Sequence, residues 1–450
     1  MTTSDLYSIG VSGARAYQAA LGTISNNIAN ADTPGYARRM IELKESPAGT
    51  GTTIYYRSGV AYGGATIGKV VRMSDYYLDA AARNTGNALG SADQRARWMS
   101  DIQNGLNDGS LGVGQRMSAM FASVERLASN PTDTTLRSNV LFAFEQINTA
   151  FKQAHTDLTA ITEGIGKAAQ TEMAALNDAL KQLADANEGL RRSSDGTAAH
   201  VALLDSRDQA LTEITKRINV TITFGANDVA DVKYGAMDMV TSVAAGSMTV
   251  TQAGDGTLSF TATDVGGTTA AAAAPTGGSL AGLSSSAEAN RDRIIDLNDL
   301  ADQYVSDIND WHTGGFTAAG VAGGTMLSIG GDASTLQVLI TAPADLAGAN
   351  AGGVANANLV AIGGLRGSGG IEDTWVNLIS DHSNVVTATL AEQTAATSRD
   401  TMAQEARADV SGVNLDREAA DLMRFQQAYQ ACARIIQVAN QVMESLFAAI

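Results

Sequence analysis

Residues 422–450 read LMRFQQAYQACARIIQVANQVMESLFAAI. Leu422, Phe425, Tyr429, Cys432, Ile436, Ala439, Met443, Leu446 and Ile450 fall at alternating steps of three and four, the seam of a heptad helix. A second stripe runs beside it through Ala428, Ala431, Ile435, Val438, Val442 and Ala449. That leaves Arg424, Gln427, Arg434, Gln437, Gln441 and Glu444 for water, and one partner helix cannot cover so wide an apolar face. The start of the chain answers with Leu6, Ile9, Gly13, Ala16, Ala20, Ile24 and Ile28 at similar steps. The pattern predicts terminal helices that pair with each other, contact further helices, and become ordered on assembly.

Working inward, the first helix is expected over 4–30, with Thr3 or Ser4 as N-cap. It is expected to stop at Ala31, Asp32, Thr33, Pro34 and Gly35, where proline and glycine dictate a turn. Short β-like runs follow at 36–43, 52–57 and 65–73. Helical spacing returns through Leu89, Ala92, Ala96, Met99, Ile102 and Leu106, ending at Asp108 and Gly109. A shorter helix carries Met117, Met120, Val124 and Leu127. After Asn130, Pro131 and Asp133 the period holds over about 137–190, from Val140 to Leu190, a rod roughly 80 Å long. Gly164 and Gly166 interrupt it at a stutter, where glycine costs about 1 kcal/mol relative to alanine.

A helix over 199–218 precedes a change of period from 3.6 to 2. Residues 220–224 alternate, and 248–252 and 257–263 flank Ala253, Gly254, Asp255 and Gly256 as a hairpin. The alanine run at 270–274 is expected as loop, with helix again over 290–311. Residues 313–370 are rich in Gly and Ala with one β-like run at 336–341. Helices follow from Ile371 to about Ser411 and from Leu415 onward. The fold class is therefore mainly α with an inserted β-rich module, the paired terminal helices continuing as a coiled coil into a long helical rod.

Bulk numbers narrow the function. The chain has 450 residues, enough for two or three domains. It carries 30 basic and 47 acidic residues, a net charge of −17 that opposes nucleic-acid and acidic-membrane binding. Only 5% of residues are aromatic, which suits Ala-rich helices better than a large enzyme core. A single cysteine, Cys432, rules out an intrachain disulfide and a cysteine zinc site. It is expected as a small apolar residue in the seam. No cleavable secretory signal or membrane span is visible, so the chain is expected to stay inside the cell or leave by another route.

Candidates for chemistry fail one by one. His155, His200, His312 and His382 are scattered, with no metal-ligand spacing. Asp32 and Asp133 read as helix caps, and Gly112, Val113 and Gly114 lack the rest of a phosphate loop. No catalytic residue, metal site or cofactor is expected.

Residues 25–36, SNNIANADTPGY, closely resemble the N-terminal signature of bacterial flagellar axial proteins, the rod, hook and hook-associated proteins. The counterpart is 412–418, GVNLDRE, followed by 422–431, LMRFQQAYQA. Three interior stretches narrow the resemblance to the first hook–filament junction proteins of the hook-associated group: 130–137 (NPTDTTLR), 203–209 (LLDSRDQ) and 277–283 (GGSLAGL). The resemblance covers roughly 1–220, 277–320 and 371–450.

It implies an axial core from 1–35 with 413–450, and a rod domain from 36–218 with 284–320 and 371–412. An outer β-rich module over 219–283 and a Gly/Ala-rich loop and short-strand region over 321–370 complete it. It also implies a non-enzymatic adaptor ring between hook and filament. Its partners would be further copies of itself, the hook protein, a second junction protein, and an export chaperone on the C-terminal helix. Export would use the flagellar type III apparatus, with no cleaved signal, to an extracellular place in the flagellum. Leu6, Ile9, Ile24, Ile28, Leu422, Phe425, Tyr429, Ile436, Met443 and Leu446 would carry axial packing. Asn26, Asn27, Asn30, Pro34, Gly35 and Tyr36 would form the turn that sets the angle between layers.

Alternatives stay open at this point. A hook or distal rod subunit shares the terminal motifs but would not need the long helix pattern after Pro131. A rod-associated peptidoglycan hydrolase would need two carboxylates facing a sugar cleft, and 221–370 has few acids. An adhesin-like use of the β module is compatible with the adaptor role.

Overall fold

The computed structural model describes residues 3–45, 63–106 and 109–448. The run at 52–57, Asp108, Ile450 and the side chains of Thr3 and Ser4 lie outside the described residues. In chain order, α1 (Thr3–Ala29) leads into a hairpin of β1 (Arg39–Glu45) and β2 (Ala65–Arg72). Four helices follow: α2 (Tyr76–Leu106), α3 (Val113–Ser129), α4 (Thr134–Arg192) and α5 (Ala198–Arg217). Six strands come next: β3 (Thr221–Phe224), β4 (Ala230–Tyr234), β5 (Met237–Val240), β6 (Ser247–Gln252), β7 (Leu258–Thr263) and β8 (Thr269–Ala272). Then come α6 (Ser279–Thr313), the pair β9 (Leu327–Ser328) and β10 (Gln337–Val338), α7 (Ala357–Ala361), α8 (Ile371–Ser411) and α9 (Leu415–Ala448).

The 59-residue helix α4 is the spine. Asp133 caps it by accepting from Leu136 N at 3.0 Å, which satisfies one of the free donors of its first turn. Its N-terminal half packs with α3, the end of α2, α6 and the start of α8 around Phe144, Phe151, Leu158, Tyr304 and Trp375. Its C-terminal half packs with α5, the start of α6 and both three-stranded sheets around Ile165, Leu176, Leu183, Val232 and Phe260. Ile161 touches both cores. The glycines at the stutter sit at close approaches rather than at a break. A Cβ on Gly164 would come within 3.0 Å of the Trp98 ring, and one on Gly166 would meet the Gln252 side chain.

The central strands form two antiparallel sheets, ordered β3–β4–β5 and β6–β7–β8. The hairpin expected at 248–263 is present, with Val250 opposite Phe260. The alanine run differs from its reading as loop, because β8 pairs Ala271 with Thr261 and closes that sheet's edge. Helix α6 likewise begins at Ser279, about three turns before the periodic apolar spacing. Its first turns pack through small residues: a Cβ on Gly282 would overlap the backbone of Ser91 on α2.

Residues 321–370 are largely irregular yet bury Met326, Leu336, Leu346, Leu359 and Ile362 in the first core. Arg137, from the 130–137 motif, is steadied by donating to Pro131 O (2.8 Å) and holds this segment by donating to Pro343 O (3.2 Å) and Leu346 O (2.8 Å). Burial pushes its guanidinium pKa down. Arg137→Leu is expected to lower stability by about 2–4 kcal/mol, because three carbonyls lose a charged donor. An unchanged urea midpoint would show that the segment is held by packing alone.

His312 is the second staple. Its Nδ1 donates to Gly324 O at 2.6 Å while Nε2 accepts from Ala347 N at 3.0 Å, so the neutral ring is the one that fits. His382 binds Met99 O at 2.9 Å from inside the α2–α8 interface. Burial lowers the pKa of both histidines below 6.5. The unfolded chain then binds more protons than the folded one below pH 6.5, so stability is full above that value and falls with acid. The expected slope is up to about 1.4 kcal/mol per pH unit per histidine. Urea midpoints from pH 7 to 5 check this, and a His312→Gln chain should show a shallower dependence.

Candidate functional site: the joint between terminal helices and rod

Helices α1 and α9 pair antiparallel. Asn27 lies opposite Glu418, Tyr17 opposite Phe425 with ring centroids 6.0 Å apart, and Gly13 and Gly10 opposite Cys432 and Ile436. The close approach needs glycine: a Cβ on Gly10 would sit 2.8 Å from Ile436 Cγ1, and one on Gly13 the same distance from Cys432 Sγ. Cys432 is half-buried in this seam, and burial raises its thiol pKa.

The ten residues expected to carry packing are distributed unevenly in a single chain. Ile24 is buried; Leu6, Ile9, Leu422, Phe425 and Ile436 are half-buried; Ile28, Tyr429, Met443 and Leu446 are exposed. Along α9, Leu415, Met423, Ile435, Val438 (53% exposed), Val442, Leu446 (52%) and Phe447 (76%) also face outward. The helix pair therefore covers one stripe and leaves a wide apolar band open, far more than scattered single residues would make.

At the base of the pair the chain builds a polar joint. Helix α1 ends with Asn30 N donating to Asn26 O and the Asn30 side chain donating to the same carbonyl at 2.9 Å. Thr33 Oγ1 binds Asn30 Oδ1, Pro34 is exposed, and Gly35 turns the chain with φ +81° against the Gln209 side chain. Asp32 is exposed after the helix end rather than capping a helix. Asn27 is fully buried. Its Oδ1 accepts from Tyr36 OH (2.8 Å) and Arg39 N (3.0 Å), and its Nδ2 donates to Arg39 O and to Glu418 Oε2, both at 2.9 Å. Burial raises the Tyr36 pKa, and the Arg39 guanidinium lies 4.8 Å from its ring centre.

Glu418, with no exposed surface, also accepts from Arg38 Nε at 2.6 Å, and Arg38 reaches Asp421 at 3.3 Å. Asn414 caps α9 by accepting from Arg417 N at 3.0 Å, and Arg38 N donates to Ser411 O at the end of α8. From there charges alternate into the rod. Arg39 and Arg72 share Asp205, each at 2.7 Å, and Arg72 and Arg207 share Asp208, again at 2.7 Å. Arg407 on α8 binds Asp79 at the start of α2 at 2.6 Å.

Three stretches far apart in sequence thus converge: 25–36 supplies Asn27 and Tyr36, 203–209 supplies Asp205 and Asp208, and 412–418 supplies Asn414 and Glu418. Sequence reading by apolar period missed Arg38, Arg39, Arg72, Asp205, Asp208 and Glu418. The available signal was the acids Asp205, Asp208 and Glu418 set inside the quoted motifs, with Arg38 and Arg39 just beyond the first of them. Among the described residues no helix is long and apolar enough to cross a membrane, and no group of three His, Cys, Asp or Glu could hold a metal ion.

A helical rod carrying both terminal helices on one charged joint, with an apolar band left open, is the build of a structural protein that assembles through its terminal helices. Three family models match in register with it. The Flagella basal body rod protein model matches residues 8–36, and the Flagellar basal body rod FlgEFG protein C-terminal model matches 407–448. The Flagellar hook-associated protein FlgK helical domain model matches 99–327, half of the chain. The chain belongs to the FlgK family of flagellar hook-associated proteins.

Its relatives include Flagellar hook-associated protein 1 of Salmonella typhimurium, 30% identical over 49% of this chain and 39% of that protein. The proteins of that name from Escherichia coli and Bacillus subtilis are each 24% identical, over 98% and 96% of this chain and 99% and 95% of theirs. The match thus spans about two fifths of the Salmonella protein and nearly all of the other two. The solved flagellar hook junction protein FlgK from Burkholderia pseudomallei aligns with a TM-score of 0.49 at 19% identity, covering 57% of this chain and 47% of that one.

Proposed function

We propose that this chain is a non-catalytic adaptor that forms the junction ring between hook and filament by lateral assembly of its terminal helices. The observation that supports this best is the apolar band on α9, open in the single chain and wide enough to take neighbouring helices. Residues 1–35 with 413–450 would be the axial core. Leu6, Ile9, Ile24, Ile28, Leu422, Phe425, Tyr429, Ile436, Met443 and Leu446 would pack within and between copies. The turn from Asn26 to Tyr36, held at Asn27 by Glu418 and followed by the Arg39–Asp205 pair, would fix the angle between core and rod. The rest of the chain, with the β-rich module of 219–283 and the irregular segment of 321–370, would form the outer layers.

The expected partners are further copies of the chain, the hook protein, the second junction protein, and an export chaperone that hides α9 before assembly. Passage to the cell exterior would use the flagellar export apparatus. Deleting 415–450 tests the reading. The rod and β module are expected to keep their cooperative unfolding, while incorporation at the hook tip is lost. Normal incorporation of that truncated chain would overturn it.

A further inference from the structure

Beside the joint, a cavity of about 720 Å³ opens between β2, α5 and β3. Its walls include Ile222, Leu204 and Phe224, with the exposed Tyr76 edge-on to Phe224 at 5.3 Å. On its floor lies His200, only 2% exposed. Ser193 Oγ sits 2.9 Å from His200 Nδ1 and donates its one proton to Leu190 O at 3.1 Å. We assign the hydroxyl proton to Leu190 O and the ring proton to Nδ1, which leaves Nε2 as the acceptor of the neutral ring.

Among the described residues that nitrogen has no hydrogen-bond partner, and the group facing it, 3.6 Å away, is the Asp228 carboxylate, another acceptor. Asp195 lines the same cavity and, among the described residues, forms no ion pair. The other charges at the wall are engaged. Arg72 is held by Asp205 and Asp208, Arg207 by Asp208 and the Asp228 carbonyl, Asp79 by Arg407, and Lys69 lies 3.8 Å from Glu42. Among the described residues, the Asp195 and Asp228 carboxylates and the His200 Nε2 are the groups left facing the space without a close cationic partner, beside the hydroxyls of Ser74, Tyr76 and Thr223.

We propose that this cavity binds a cationic head group, an alkylammonium or guanidinium, seated between His200 Nε2 and the Asp228 carboxylate. An aliphatic stem would lie along Ile222, Leu204 and Phe224, the arrangement in which long basic side chains bury carbon and keep their charge paired. The ligand is either a free amine or a lysine or arginine side chain of another polypeptide.

Titrating the full-length, ¹⁵N-histidine-labelled chain tests it, with Nα-acetyl-lysine methylamide, Nα-acetyl-arginine methylamide, agmatine and neutral Nα-acetyl-norleucine methylamide as probes. The His200 signal, assigned with a His200→Gln chain, is expected to report an unprotonated Nε2 before addition and to shift saturably with the cations. Asp195→Asn with Asp228→Asn should weaken that binding by at least about tenfold; asparagine tolerates the left-handed backbone at 228 (φ +59°), so the fold is kept. Tighter binding of agmatine than of the blocked amino acids would mark a free amine as the source, and the reverse a side chain; both uphold the site. It is overturned if the norleucine probe shifts His200 as much as lysine does, if no cation shifts it, if the double variant binds as before, or if Nε2 is already protonated.

Discussion

Replacing Glu418 with alanine is expected to release the terminal helix pair from the rod at a cost of about 3–5 kcal/mol. The carboxylate has no exposed surface and satisfies two buried donors, Arg38 Nε and Asn27 Nδ2. Removing it leaves a guanidinium that is only 5% exposed with the longer Asp421 contact, at 3.3 Å, as its remaining carboxylate, and its Nη1 already lacks a partner among the described residues. Stranding one buried charge costs far more than the pair contributes over an apolar substitute, which sets the sign of the control. Arg38→Met combined with Glu418→Leu should recover much of the loss, because neither charge is then left alone. Hydrogen exchange is the measurement. Amides of α1 and α9 should lose protection in the single variant and regain it in the double one, while α4 stays protected throughout. Equal protection of α1 in wild-type and Glu418→Ala chains would show that the apolar seam alone holds the pair.

Much of the architecture was readable where a periodic apolar pattern ends on a local stop. Helix α8 was bounded by Gly370 and Gly412, α4 by the Asp133 cap, and the β6–β7 hairpin by Gly254 and Gly256. What escaped did so for physical reasons. The first turns of α6 pack by small size rather than hydrophobicity. Strand β8 is alanine on an edge, where no alternation distinguishes its two faces. The joint was the largest omission. Its turn residues were marked by sequence, yet the ion pairs that hold it span up to 383 positions and leave no local period. Only the tertiary fold brings Arg38 to Glu418 and Arg39 to Asp205.

Converting the open band on α9 to polar surface should separate assembly from folding. In a chain carrying Val438→Gln, Val442→Gln and Leu446→Gln, all three sites are already exposed in the single molecule. Exposed substitutions shift stability by only about 0.5 kcal/mol each, so the urea midpoint of the monomer should hardly move. Between copies the balance differs. Burying a valine or leucine side chain fully contributes about 1.5–3 kcal/mol, and roughly half of each surface remains to be buried here. Three lost side chains then remove about 2–5 kcal/mol from every contact between neighbours, a weakening of at least about thirtyfold. That loss recurs at each subunit of a ring, so incorporation at the hook tip should fall below detection. Gln427→Ser with Gln441→Ser, on the hydrated side of the same helix, should assemble as the parent does. If the apolar triple variant still assembles normally, the band is not the surface that neighbours cover, and the rod or β module must supply the contacts instead.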